Sequence, residues 1–212
     1  MRHLRSIVLA TVAVALYAAP VAAAHHPVVT PAEGNLLGEV WAQLYSLPLS
    51  INPLVGKGDP CLAVGRRVVH PVDNASCTVT QGTAIMLGYG SAWSNVEAPY
   101  PKTEAEQRAF VRDIDRQHLT DLFVSVDGGA PIDIGRRRFE LVSRQRALLL
   151  PEDNILDVPE EGIDVHAGTI TMTAHGWIVL IRNLSPGRHT IDSGAKWDGE
   201  PFGNRREITV RP

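Results

Sequence analysis

From His118 onwards, the hydrophobic positions fall into short runs of strand length that are separated by turn residues. Residues 169–173 alternate with a period of two, and 177–181 (WIVLI) is a continuous apolar run typical of a buried central strand. Turns are indicated at 127–129 (DGG) and 185–187 (SPG), because glycine accepts a positive φ and proline fixes φ. The pattern predicts a mostly β protein, a two-sheet antiparallel sandwich of Ig-like or jelly-roll-like type.

Two segments instead show helical spacing, so one or two short helices are expected to cap the sandwich. Apolar residues at i, i+4 spacing over 36–44 predict a short helix with Asn35 as its N-cap. Thr103 and Glu106 form a capping-box pattern at the start of a helix predicted over 103–117. A single helix docked on a β domain is expected to cover an open end of it.

The N-terminus has the pattern of a secretory signal. Two arginines precede an apolar run over 7–19, and small residues follow at 21–24. This order predicts a signal peptide over 1–24, cleaved after Ala23 or Ala24, with an apolar core too short to span a membrane. The expected location is therefore secreted or extracellular.

The remaining chain, 25–212, is predicted to be one domain that begins with an extended arm over 25–34, and no later run is long enough for a membrane span. The net charge of −3 gives no electrostatic reason to expect nucleic acid or anionic lipid as a partner. Basic clusters at 136–138 and 205–206 have acidic neighbours, and are expected to be solvated strand or turn positions.

Cys61 and Cys77, sixteen positions apart, are the only cysteines. In an oxidising compartment they are expected to form a disulfide. A thiolate metal site would need further ligands at close spacing, and a catalytic cysteine would be paired there.

His25 and His26 follow the predicted cleavage sites. Cleavage after Ala24 would let the amine and ring of His25 chelate Cu(II), as in lytic polysaccharide monooxygenases and periplasmic copper carriers, which this start resembles. Cleavage after Ala23 would instead place a histidine third, in a square-planar Cu(II) or Ni(II) site. The alternative is an arm whose histidines bind nothing. Copper is the one cofactor considered, and a third ligand could come from His70, His166 or His175.

The C-terminal histidines are interpreted as structural. His175 is expected in a turn before Gly176, between strands predicted over 163–173 and 176–182. His189 is expected on a strand face that points to water.

Trp93, Tyr100 and Trp197 fall in predicted loops. Exposed aromatic rings there could stack on sugar rings, which makes these residues candidates for ligand binding. The alternative is that they fold back and cap the core.

The stretch 174–181 (AHGWIVLI) followed by 184–191 (LSPGRHTI) resembles a C-terminal hairpin motif of a group of uncharacterised secreted bacterial proteins. Segments 121–128 and 150–154, and the region around Trp41, also fit that group. The resemblance implies a secreted β-sandwich and offers no reaction, because the shared residues are turn and core positions.

The sequence contains no G-x-S-x-G, H-E-x-x-H or P-loop motif. We therefore expect a non-enzymatic binding or envelope-associated structural protein with an unknown extracellular ligand, either carbohydrate or protein. The alternative is a copper protein that carries the metal or oxidises a polysaccharide, and a hydrolase is the third reading.

Overall fold

The computed structural model describes residues 27–32, 35–157 and 164–212. The predicted signal peptide, its cleavage sites after Ala23 and Ala24, and the copper candidates His25 and His26 lie outside the described residues. The helices are α1 (Leu36–Ser46) and α2 (Glu104–His118), with short 3-10 turns at Leu49–Ile51, Pro53–Val55 and Arg137–Phe139. The strands are β1 (Val28–Pro31), β2 (Cys61–Ala63), β3 (Val68–Pro71), β4 (Ser76–Thr80), β5 (Ala84–Ser94), β6 (Leu119–Val126), β7 (Ile132–Asp133), β8 (Glu140–Val142), β9 (Arg146–Leu150), β10 (Gly168–Arg182), β11 (Gly187–Trp197) and β12 (Glu200–Arg211).

The strands form two sheets, which confirms the predicted two-sheet sandwich with short helices. Within the described ranges, the larger sheet has the order β1-β10-β5-β3-β2, with β8 and β9 also paired to β10. The smaller sheet has the order β4-β12-β11-β6-β7. The pairing is mixed, because β3 and β5 are parallel, and so are β4 and β12. The chain leaves the larger sheet to form β4 and then returns, so β5 runs in the same direction as β3.

β10 is one uninterrupted strand, so the predicted turn at His175 is wrong. The strand pairs with β5 from Met172 to Ile181, and Gly176 lies opposite Gly90. A Cβ added to Gly90 would lie 2.0 Å from the carbonyl oxygen of His175. The glycines therefore allow two strands to approach closely, and do not mark a turn.

β1 brings part of the predicted extended arm into the larger sheet. Val28 to Pro31 pair antiparallel with β10 between Arg182 and Val179. Together with β8 and β9, β1 covers one side of β10, while β5 covers the other side.

The larger sheet has a hydrophobic cluster on each face. Leu37, Val40 and Leu44 of α1 belong to one cluster, whereas the other cluster lies between the sheets. The α1 helix forms where predicted, but the Asn35 side chain does not cap it: its Oδ1 accepts from the backbone N–H of Arg144 instead.

The α2 helix confirms the prediction from its capping box. Thr103 Oγ1 accepts from the backbone N–H of Glu106, and the Glu106 carboxylate accepts from the backbone N–H of Thr103. The helix contacts β5 and β10 of the larger sheet and β6 of the smaller one. Among the described residues, no helix has both the length and the hydropathy needed to cross a membrane.

Candidate functional site

A cavity of about 180 Å³ lies between α1 and the edge of β5. β3 pairs with β5 at Ala84 and Ile85, and no other described strand continues that side of β5. Gly88 and Gly90 line the cavity on the side of β5. A Cβ at Gly88 would lie 2.1 Å from the carbonyl oxygen of Trp177, so the close approach of β10 requires glycine there.

His70 on β3 presents an unused acceptor at this cavity. Its Nδ1 lies 3.1 Å from the carbonyl oxygen of Met86, to which it must donate, and this contact selects the tautomer with an unprotonated Nε2. No described group is within hydrogen-bonding distance of Nε2, and that atom is not enclosed by protein. Burial lowers the pKa of His70 to about 4, although the Met86 contact partly opposes the shift. The ring is neutral at pH 7.

Arg206 is the cationic residue of the cavity, and its charge is already balanced. The side chain is 3% exposed, although its sequence neighbourhood predicted a solvated position. Its Nη2 donates to Asp73 Oδ1 at 2.7 Å, its Nη1 to Ser193 Oγ at 2.7 Å and its Nε to the carbonyl oxygen of Pro71 at 3.0 Å. The Tyr89 hydroxyl lies 3.0 Å from Ser193 Oγ, and burial raises the pKa of Tyr89. The wall is polar and has no net charge.

The mouth of the cavity is apolar and aromatic. Leu54 and Phe202 are each 40% exposed, and Trp41 on α1 is half-buried. Phe202 packs edge-on against Tyr89, with ring centroids 5.1 Å apart. The cavity therefore has an apolar body and a few convergent polar groups, which is the usual composition of a ligand pocket.

His175 differs from His70 because both of its ring nitrogens are engaged. Its Nδ1 is 2.7 Å from Asp115 Oδ2 and its Nε2 is 3.0 Å from Glu140 Oε1, and His175 and Asp115 are fully buried. Ser91 and Arg116 complete the network by donating to Asp115 and Glu140. Both ring nitrogens of His175 are occupied, so this histidine has no atom left for a ligand.

His189 has partners that resemble a Ser-His-Asp triad, the arrangement on which a hydrolase reading would depend. Its Nδ1 donates to Asp127 Oδ2 at 2.8 Å, and Ser185 Oγ is 3.5 Å from Nε2. However, Nε2 is only 2.8 Å from the carbonyl oxygen of Ser185, to which it donates, so it cannot accept the hydroxyl proton. Burial lowers the pKa of His189, but the bonds to Asp127 and Ser185 outweigh this and raise it overall. The residue clamps two turns together.

His189 was also predicted to face water, and that prediction is wrong. The residue is 9% exposed, because the turn after β6 places Asp127 against it.

The aromatic residues predicted to bind a ligand occupy separate places. Trp93 lies in β5 rather than in a loop, and packs edge-on against Phe110 at 4.8 Å. Tyr100 is 59% exposed, in a shallow groove before α2. Trp197 is the last residue of β11, so its predicted place in a loop is also wrong. It is 38% exposed and stacks on His118 at 5.0 Å. His118 ends α2, so Tyr100 and Trp197 lie near opposite ends of a helix about 20 Å long.

The residues that line the cavity were not recognised as site residues from the sequence. The sequence indicates His70 only as a candidate copper ligand, and it predicts a solvated position for Arg206. Nothing in their spacing joins them, because α1, β3, β5 and β12 are far apart along the chain.

The predicted disulfide is confirmed, with Cys61 and Cys77 bonded and their Cα atoms 5.8 Å apart. Within residues 27–32, 35–157 and 164–212, no three histidine, cysteine, aspartate or glutamate side chains are grouped so that they could hold a metal ion. Of the three histidines considered as a further copper ligand, His175 has no free nitrogen, and His166 lies beside Asp164. Copper binding at His25 and His26 stays a prediction.

Comparison with known proteins adds little to this description. The sequence matches no family model, and it matches no curated protein. Among solved structures, the chain is similar to the solution structure of Amebosin, with 10% identity over 68% of this chain and 96% of that chain, and a TM-score of 0.23.

Proposed function

We propose that this is a secreted, non-enzymatic binding protein whose ligand occupies the cavity between α1 and β5. The observation that carries the proposal is Nε2 of His70, a neutral acceptor that no described protein group uses and that lies beside an apolar cavity. Ligand pockets are mostly apolar, and a small number of polar groups in them fix the orientation of the ligand. His70 Nε2 is placed to act as such a group.

The contacts of the cavity favour binding over catalysis. Asp73 and Arg206 are paired with each other, and the Tyr89 hydroxyl is held by Ser193. No described nucleophile lies within hydrogen-bonding distance of His70, so His70 has no partner to activate.

Secretion is supported by two independent features. One is the N-terminal pattern of charged, apolar and small residues. The other is the Cys61–Cys77 bridge, because disulfides persist in oxidising compartments and are rare in the cytosol.

The test is an NMR titration of the isotopically labelled protein with benzene and with phenol. We expect saturable shifts of amides in α1, β3 and β5. Leu54→Trp should abolish these shifts by filling the mouth of the cavity. Val55→Trp is the matched control, since Val55 is 45% exposed on the same turn but does not line the cavity. Absence of saturable shifts with either probe, or equal effects of the two variants, would rule out the proposed site.

A further inference from the structure

We infer that the cavity selects a small uncharged ring compound carrying one hydroxyl or N–H donor, with the ring among the apolar side chains of α1 and the donor on His70 Nε2. This inference rests on the proposed function, and it adds the chemical class of the ligand.

The size of the cavity limits the ligand to about one ring. An apolar cavity of about 150 Å³ in a protein core is large enough to bind benzene, whereas pockets for drug-sized ligands measure about 300–1,000 Å³. At about 180 Å³, this cavity accommodates a single ring with one small substituent.

The charges around the cavity favour a neutral ligand. Asp73 and Arg206 form an ion pair at 2.7 Å, and Arg206 has further bonds to Ser193 and Pro71. A carboxylate would have to displace Asp73 from Arg206, and would bring a second negative charge next to it. An ammonium group would lie close to Arg206 and would have to be desolvated without a carboxylate of its own.

The requirement for a hydrogen-bond donor on the ligand comes from Nε2 of His70. His70 Nδ1 donates to the carbonyl oxygen of Met86, which leaves Nε2 as an acceptor in a fixed orientation. A ligand without a donor would bury this nitrogen unsatisfied, and a site built to hydrogen-bond a ligand group discriminates against analogues that lack it.

A free sugar is the closest rival among neutral ring compounds. Its hydroxyl groups would all need partners, whereas most of the lining is apolar. Of the polar lining residues, Asp73 and Arg206 bond to each other and Tyr89 bonds to Ser193. Each hydroxyl group left unsatisfied in such a site opposes binding. The structure therefore favours a ring with an apolar body over a polyhydroxylated one.

The experiment compares dissociation constants for five probes at pH 7: phenol, benzene, benzoate, benzylamine and glucose. Two variants isolate the acceptor. In His70→Asn the side-chain amide can still donate to Met86, but no atom replaces Nε2, whereas His70→Gln places an amide oxygen near the Nε2 position. We expect His70→Asn to weaken phenol binding by about tenfold, the size of one hydrogen bond. Phenol binding should be largely kept in His70→Gln, and benzene binding should be the same in all three proteins.

The outcomes separate the two proposals. If phenol and benzene bind and Leu54→Trp blocks them, but His70→Asn weakens neither, the cavity is a binding site and the inferred ligand class is wrong. The class is also wrong if benzoate, benzylamine or glucose binds as tightly as phenol. If neither phenol nor benzene binds, both the proposed function and the inferred ligand class are wrong.

Discussion

His70 and His175 lie on strands of the same sheet, and their surroundings are opposite. His175 is fully buried, with one carboxylate on each ring nitrogen and a further donor behind each carboxylate. His70 has one backbone carbonyl on one nitrogen and a cavity beside the other. By the number of polar neighbours, His175 is the more conspicuous of the two. It is nevertheless the one with no capacity left for a ligand.

The comparison teaches that hydrogen-bonding capacity, rather than polar density, distinguishes a binding group from a structural one. A buried network in which each member is satisfied rigidifies a core. An acceptor that no protein group uses stays available to a ligand, and a ligand that covers it without donating to it leaves it unsatisfied.

The largest effect is expected from His175→Leu. The substitution leaves Asp115 without the ring nitrogen that bonds to it at a fully buried position, and removing one partner of such a buried pair costs about 3–5 kcal/mol. Urea unfolding at pH 7 measures the loss, with His70→Leu as the control, for which about 1 kcal/mol is expected from one lost bond. Equal losses in the two variants would remove the distinction between a saturated and an unsaturated histidine.

Removing the disulfide tests whether the loop that carries His70 shapes the cavity. The bridge closes the loop 61–77, which contains β3 with His70 and also Asp73. In the loop-entropy model, replacing both cysteines with alanine costs about 3 kcal/mol of unfolding free energy. Phenol affinity should fall as well, while the amide shifts around His175 should not change. Unchanged phenol affinity would mean that the loop does not shape the cavity.

The pH dependence of stability distinguishes His70 directly. Its pKa is about 4 in the folded protein and about 6.5 when unfolded, so the unfolded chain binds more protons between these values. The free energy of unfolding should therefore fall as pH decreases from 6.5 to 4, by about 2 kcal/mol for this half-buried group. His70→Asn should lack this component. Parallel stability curves for the two proteins would show that His70 is not held neutral.

The smallest effect is expected at His189, whose pKa is raised. Its contribution is fully present below the unfolded pKa of about 6.5, and it is lost as pH rises through the higher folded pKa. His189→Gln should cost about 1 kcal/mol at pH 6 and less at pH 9. Thermal unfolding of both proteins at the two pH values measures the loss of stability. A larger loss at pH 9 would contradict the view that His189 stabilises the two turns in its protonated form.

Local features were predictable where neighbouring residues decide the structure. The capping box of α2 involves Thr103 and Glu106, three positions apart, and it formed as expected. The disulfide followed from the presence of two cysteines in total. At Asn35 the helix was predicted correctly, but its side chain was recruited by the distant Arg144. Neighbouring residues determine where a helix starts, whereas a distant residue can take the side-chain oxygen that would have capped it.

Gly176 shows why other positions could not be predicted. A glycine inside an apolar run indicates either a turn or a close approach of two backbones. The choice depends on Gly90, which lies opposite it in β5, 86 positions earlier. Mistaking the close approach for a turn also misplaced His175 and hid its buried network.

The sequence by itself determined the class of the fold, the two helices and the disulfide, because hydrophobic period, capping and cysteine count act within short stretches. The tertiary structure alone decided the candidate site. His70, Tyr89 and Arg206 come from three strands, and α1 supplies the apolar wall. Whether the polar atoms of these side chains are free or already hydrogen-bonded depends on contacts between distant segments, and a local sequence pattern does not show such contacts.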